Sequence, residues 1–306
     1  MIERLQALER RLAGHSKQEW VTQEIGKMRA GIRGESSLDY HLHFIKEDYY
    51  KLNSIRLLGG DYYFQMDCLL VNEKRIILIE VKHMDGELHY DDSSHQLLQV
   101  KDGCKKAYPD PLLQVKRQAH QLEKGIKTHS LPYIPIEPYV VFTHPSAILS
   151  SSHPRVFPSD YLPFKLNADN DQHCKSVWTE QEQHLFIKKC EQSHAPYSYD
   201  VFQRFQLKDD DLLQGVLCDN CSTVTMDKVY GGWKCSKCES FSKDAHFTAM
   251  KDYYLLIGDT ISNQELRRFL RLKSRDTARQ LMIDMNIKPI GRTRNIRWDL
   301  KSKFVQ

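Results

Sequence analysis

Asp67, Glu80 and Lys82 interrupt an otherwise apolar stretch. In residues 64–83, FQMDCLLVNEKRIILIEVKH, two runs rich in Val, Ile and Leu flank a polar turn at Asn72-Glu73-Lys74. A hairpin centred on Glu73 and Lys74 sets Asn72 against Arg75 and, counting outward, Asp67 against Glu80. Directly opposed residues lie about 5 Å apart at Cβ, where like charges repel. Glu80 and Lys82, two apart on one strand, share its face. Two carboxylates and an ammonium so placed call for a cation or a bound proton. Mg²⁺ suits them, because it favours hard oxygen ligands and keeps several waters. A surface hairpin with scattered charges is the plain alternative, but it gives no reason for three charges on one face of such apolar strands.

A second group has metal-ligand spacing. Cys218-Asp219-Asn220-Cys221 and Cys235-Ser236-Lys237-Cys238 form CxxC–x13–CxxC. Four thiolates on two tight turns suit tetrahedral Zn²⁺, with two disulfides as the alternative. Gly231-Gly232-Trp233 fits a hairpin between the two knuckles of a zinc ribbon. No open ligand position is evident, so the metal would be structural and would supply folding energy to a segment with little core. Cys174 and Cys190 lack CxxC partners and read as buried apolar thiols.

A length of 306 residues suggests two or three domains, and 41% hydrophobic with 27% charged residues is ordinary for soluble globular protein. No run of eighteen apolar residues is present, so no transmembrane helix is expected. The charged, helical start differs from a signal peptide, and CxxC pairs without one point to a reducing, cytoplasmic setting. Charge is uneven: residues 251–306 hold 13 Lys and Arg against 6 Asp and Glu, a net +7 within a chain total of +4. That concentration fits an anionic polymer, with a merely solvated surface as the alternative.

The elements that must position these groups follow from periodicity. Residues 1–27 read as an amphipathic helix with Ile2, Leu5, Leu8 and Leu12 on one side, suited to core packing or self-association. Gly31 and Gly34 read as a break, after which Glu35 stands in the first turn of a helix carrying Leu38, Leu42 and Ile45. Residues 54–58 read as a strand, and residues 86–90 and 95–100 as a second, more polar hairpin. Asp110 and Pro111 fit the N-cap and first position of a helix over 111–127, with Val115, Ala119, Leu122 and Ile126 buried and Gln114 and Gln118 on an adjacent face. Residues 138–143 read as a buried strand and 153–165 as irregular. Thr179 and Glu182 form a capping box opening a helix to about residue 192 that closes the first domain. Ser262 and Glu265 form another, opening a helix through Leu272, and Ser274 caps a helix over 275–285. A basic turn and a strand-like Ile296-Arg297-Trp298 follow. This order resembles a winged helix-turn-helix, in which outward Arg275, Arg279, Arg292 and Arg294 would meet phosphates or base edges. A protein-docking module is the alternative. The acidic run Asp209-Asp210-Asp211 has no evident role in the sequence.

Taken together, Gly34-Glu35-Ser36-Ser37-Leu38, Gln65-Met66-Asp67, Ile79-Glu80-Val81-Lys82, residues 111–118 (PLLQVKRQ) and Val140-Val141-Phe142 resemble the nuclease-related domain (NERD) family, a branch of the PD-(D/E)xK nuclease superfamily. The resemblance covers about residues 24–150. Asp67 matches the "D" and Glu80-Val81-Lys82 the "ExK", while His83-Met84 departs from the family's usual Asn or Trp after the lysine. It implies an α/β fold, a restriction-endonuclease-like mixed sheet flanked by helices, to which the cysteine spacing and the C-terminal pattern add a small zinc ribbon and a small winged-helix-like domain. The expected divisions are 1–30 (N-terminal helix), 31–195 (nuclease), 212–248 (ribbon) and 251–306 (basic module). The resemblance further implies a hydrolase that cuts phosphodiesters of nucleic acid, DNA before RNA. Its catalytic positions would be Glu35, Asp67, Glu80, Lys82 and Gln114, with Gln118 a weaker match. Mg²⁺ or Mn²⁺ would sit on Asp67 and Glu80. A non-catalytic nucleic-acid-binding or assembly protein on the same scaffold is the rival.

Overall fold

The computed structural model describes residues 1–169, 175–222, 224–291 and 296–304. The chain divides into two compact units, residues 27–197 and residues 1–26 with 198–306.

In the first unit, β1 (Tyr50–Gly59), β2 (Tyr62–Val71) and β3 (Ile76–Lys82) make an antiparallel meander. β7 (Ile136–Phe142) and β9 (Val156–Pro158) extend it in parallel, giving the order β1-β2-β3-β7-β9. Parallel neighbours need a crossover, and α3 (Pro111–Thr128) supplies it between β3 and β7. The Asp110 side chain caps α3 by accepting from Leu112 N and Leu113 N. Side chains alternate across β3: Ile76 and Leu78 pack with Leu112, Val115 and Leu122 of α3. Ile77 and Ile79 pack instead with Leu38 of α2 (Gln18–Leu42). The sheet is thus sandwiched between α2 and α3, the mixed α/β architecture expected.

The expected second hairpin is larger. β4 (Gly86–Asp91), β5 (Gln96–Lys101) and β6 (Cys104–Pro109) join β8 (Ala147–Ser150) in a sheet of order β6-β5-β4-β8. The stretch read as irregular holds β9 and runs into α4 (Leu162–Asp169); α5 (Glu180–Ser193) follows, opened by the Thr179–Glu182 capping box. Cys190 is buried, whereas Cys174 lies outside the described residues.

Two readings of the N-terminal stretch are corrected. Residues 1–27 do not form one helix: α1 (Ile2–Arg11) ends before Gly14, whose φ of +82° turns the chain, and α2 begins at Gln18. Gly31 and Gly34 do not break the helix; both lie inside α2. A Cβ on Gly34 would stand 3.0 Å from His83 Cβ and 3.1 Å from Val81 Cγ1, so this glycine admits the end of β3 at close range. Glu35 therefore sits deep in the helix and the first-turn dipole argument does not apply.

In the second unit the apolar face of α1 is used internally: Leu5, Ala7 and Leu8 are fully buried. Arg11 Nε pairs with Asp252 Oδ2 of α7 (His246–Leu256) at 2.8 Å, both side chains wholly buried. After α6 (Val201–Phe205), Asp209–Asp211 forms a 3-10 turn that explains the acidic run: Asp211 accepts from Lys208 N, and Asp210 pairs with Arg268 at 2.8 Å. β10 (Val216–Leu217), β11 (Val224–Val229), β12 (Gly232–Cys235) and β13 (Phe241–Ser242) form a small antiparallel sheet. Beyond α7 come β14 (Thr260–Ser262), α8 (Asn263–Leu270), α9 (Arg275–Asp284), β15 (Lys288–Ile290) and β16 (Arg297–Asp299), with strand order β14-β16-β15. The Ser262–Glu265 capping box and the Ser274 cap both form. Val216, Cys218 and Trp233 share one core with Leu266, Ala278 and Met282.

Candidate active site and metal centre

The β2–β3 ladder runs from Val71–Ile76 to Cys68–Ile79, and the same register carried one step further sets Asp67 beside Glu80. There side chains replace the ladder. Asp67 Oδ2 accepts from Val81 N at 2.9 Å, and Gln118 Nε2 reaches from α3 to donate to Gln65 O (2.7 Å) and Glu80 Oε2 (3.2 Å). Lys82 Nζ donates to Glu80 Oε1 at 2.6 Å and to Gln114 Oε1 at 3.3 Å. Glu80, Lys82, Gln114 and Gln118 thus form one hydrogen-bonded cluster between the sheet and α3, and Asp67 stands beside it, held by Val81 N and within the field of Glu80 and Lys82. Glu80 is only 3% exposed. Burial, and then the Glu80 carboxylate, push the Asp67 carboxyl up to about 7, against the pull of Val81 N–H and Lys82.

Glu35 is not drawn into this cluster by a hydrogen bond. Its Oε2 accepts from Ser54 Oγ of β1 at 2.6 Å, at a residue whose φ is +50°. Among the described residues, three carboxylates do not meet at metal-binding distance. Glu35 is still close enough for its charge to contribute to raising the Asp67 carboxyl.

The donor set fits a hard divalent cation. Two neighbouring carboxylates have one ammonium near them, which bonds Glu80, and the buried Gln118 Oε1 has no hydrogen-bond partner among the described residues, so an oxygen acceptor stands unsatisfied beside Glu80. Gln118 is the residue the sequence undervalued. An exposed Gln pair on a helix carries little meaning, yet Gln118 is 6% exposed and grips Glu80. Its four-residue spacing from Gln114 was the available signal.

The four cysteines also converge. Cys218, Cys221, Cys235 and Cys238 hold their sulfurs within 4.8 Å of one another, with Cys218–Cys238 at 3.6 Å and Cys221–Cys235 at 3.8 Å. Tetrahedral thiolates about 2.3 Å from an ion are spaced by roughly 3.8 Å, so the cluster could hold a metal ion. Lys237 N and Cys238 N both donate toward Cys235 Sγ, at 3.4 and 3.5 Å.

Arg275 and Arg279 are exposed on α9 and line a cavity of about 690 Å³ together with Arg267 of α8, which the sequence reading passed over. Arg292 and Arg294 lie outside the described residues. Among the described residues no helix is long and apolar enough to cross a membrane.

No curated protein and no solved structure matches the chain. Residues 30–143 do match the family model of the nuclease-related domain, and this stretch, which holds Glu35, Asp67, Glu80, Lys82, Gln114 and Gln118, is identified on that match as a nuclease-related (NERD) domain.

Proposed function

We propose that the protein is a metal-dependent nuclease that hydrolyses phosphodiester bonds in DNA, with RNA as the second choice. The observation that carries this reading is the bonded Glu80–Lys82–Gln114 cluster with Asp67 beside it, two carboxylates and a single ammonium at the end of the central strand β3. Asp67 and Glu80 would hold Mg²⁺ or Mn²⁺, which when bound lowers the pKa of water and neutralises phosphate charge. Lys82 holds its ammonium where negative charge would develop on the phosphate. Gln114 accepts from Lys82 through Oε1, and its amide hydrogens, which bond none of the described residues, would orient water or a phosphate oxygen. Gln118 fixes Glu80. Glu35 acts from further out, through its field on Asp67.

The cysteine cluster would carry structural Zn²⁺, since four sulfur ligands leave no open position. The succession helix, strand, two helices and hairpin in residues 246–299 supports a winged-helix reading, with Arg275, Arg279 and Arg267 on phosphates. Such contacts predict binding that weakens steeply with salt.

The test is cleavage of labelled single- and double-stranded DNA and RNA with Mg²⁺ or Mn²⁺. Glu80→Ala and Lys82→Ala should each lower the rate by about 10³-fold, on the order of 4 kcal/mol of transition-state stabilisation. Cleavage that survives both substitutions would remove the assignment. Tight, salt-sensitive binding without cleavage would favour the nucleic-acid-binding alternative.

A further inference from the structure

A cavity in the nuclease-related unit shares no residue with the carboxylate cluster. It measures about 390 Å³ and is bounded by the β1–β2 hairpin, the C-terminal turns of α3, and α5. Leu57, Phe64, Leu122 and Phe186 supply apolar wall, and Gln121 and Lys189 stand among them. The volume falls in the range of small-molecule sites, which are mostly apolar with a few polar groups that fix orientation.

Two further observations bear on its occupant. Neither the Lys189 ammonium nor the Gln121 amide has an ion-pair or hydrogen-bond partner among the described residues, so both polar groups are open to a ligand. Gly125 also lines the cavity, and a Cβ there would meet no atom within 4 Å. At Gly34 the missing side chain admits a neighbouring strand, whereas at Gly125, in the cavity lining, a side chain would have open space.

We propose that this cavity binds an amphiphilic monocarboxylate, an apolar body of roughly ten carbons bearing one acid group, which is a size that such a volume holds. The carboxylate meets Lys189 and accepts from the Gln121 amide, a charge-assisted contact at the edge of an apolar site. The body lies against Leu57, Phe64, Leu122 and Phe186. A cation is repelled by Lys189, and a neutral alcohol of the same length leaves the ammonium unpaired. Gln121 and Leu122 lie on the helix that carries Gln114 and Gln118, so occupancy reaches the element that positions Glu80.

The experiment is calorimetric titration of the full chain with decanoate and with decanol, in the absence of nucleic acid. Decanoate should bind with a stoichiometry of one and more tightly than decanol. Gly125→Leu, which fills the cavity while favouring the helix, should weaken both ligands by more than about tenfold. Lys189→Ala should weaken decanoate alone, by about tenfold, the scale of one charge-assisted hydrogen bond. Lys188→Ala, on the exposed side of α5, should change neither. Melting of each variant shows that it is folded. Absence of saturable binding, or decanoate binding untouched by Gly125→Leu, would overturn the site. Equal affinity for acid and alcohol, unmoved by Lys189→Ala, would overturn the ligand class.

Discussion

The two ends of β3 bury charge in opposite ways. At its start, Arg75 lies wholly buried between Glu47 Oε2 (3.1 Å) and Glu137 Oε2 (3.3 Å), with Tyr49 OH at 3.0 Å, while Lys74 holds the other oxygen of Glu47. Two cations face two carboxylates. Although burial pushes the Glu47 carboxyl up, its bonds from Lys74, Tyr49 and Arg75 hold it below the ordinary carboxylate value. At the far end, two carboxylates face one ammonium, and Asp67 is raised instead of lowered. One strand therefore separates a balanced network, which needs nothing more, from an unbalanced one that a cation would complete. The first kind serves the fold, and the second is the arrangement expected of a site.

That contrast gives substitutions of opposite sign. Arg75→Ala would remove the buried guanidinium that Glu47 and Glu137 share, leaving Lys74 on Glu47, and should cost about 3 kcal/mol of stability in denaturant unfolding. Asp67→Asn removes the surplus charge at the other end and should stabilise the metal-free protein by about 1 kcal/mol. The same substitution should abolish any rise in melting temperature on adding Mg²⁺. If both substitutions destabilised alike, the two ends would not differ as described.

Gln118 tests the unbalanced end from the side of α3. Gln118→Leu would leave Gln65 O and Glu80 Oε2 without their donor, a loss of about 1–3 kcal/mol. In the cleavage assay it should behave as a positioning change, milder than Lys82→Ala and with the metal concentration for half-maximal rate raised. A loss of stability with an unchanged metal requirement would make Gln118 a structural bridge alone.

How much of this was legible follows from the range of each interaction. The register that pairs Asp67 with Glu80 is set by a turn two residues from each strand, and period-two alternation then fixes the faces of Glu80 and Lys82. Capping at Asp110, Thr179, Ser262 and Ser274 is equally local and was readable. The continuous α2 was not, because Gly31 and Gly34 look like breakers until a strand is brought against Gly34. Nor was the role of Gln118, since its partners Gln65 and Glu80 are 53 and 38 residues away. Partnership of α1 with α7 through Arg11 and Asp252, 241 residues apart, left no sequence trace beyond a charged residue at the end of an amphipathic run.

His246 shows a third way of burying an ionisable group, by keeping it neutral. It opens α7 beneath Trp233, whose Nε1 donates to His246 Nδ1 at 3.1 Å while the rings stack 5.9 Å apart. An imidazolium has no lone pair at Nδ1 to accept that bond, and Nε2 is buried with no partner among the described residues. Burial first, and Lys228 second, push the imidazole down to about 4. An unfolded histidine titrates near 6.5, so the folded state holds this proton less tightly. Stability from this group is therefore full above about pH 6.5 and declines as the pH falls from there toward 4. Between pH 7.5 and 5.5 the loss should be about 1 kcal/mol. Glutamine at this position can still accept from Trp233 and does not titrate, so His246→Gln should show a shallower decline over the same interval. Taking the difference between the two proteins removes protonation of the cysteines and carboxylates, which is common to both. An identical decline would mean that the acid sensitivity resides elsewhere, and that His246 is tolerated in its charged form by a rearrangement of α7.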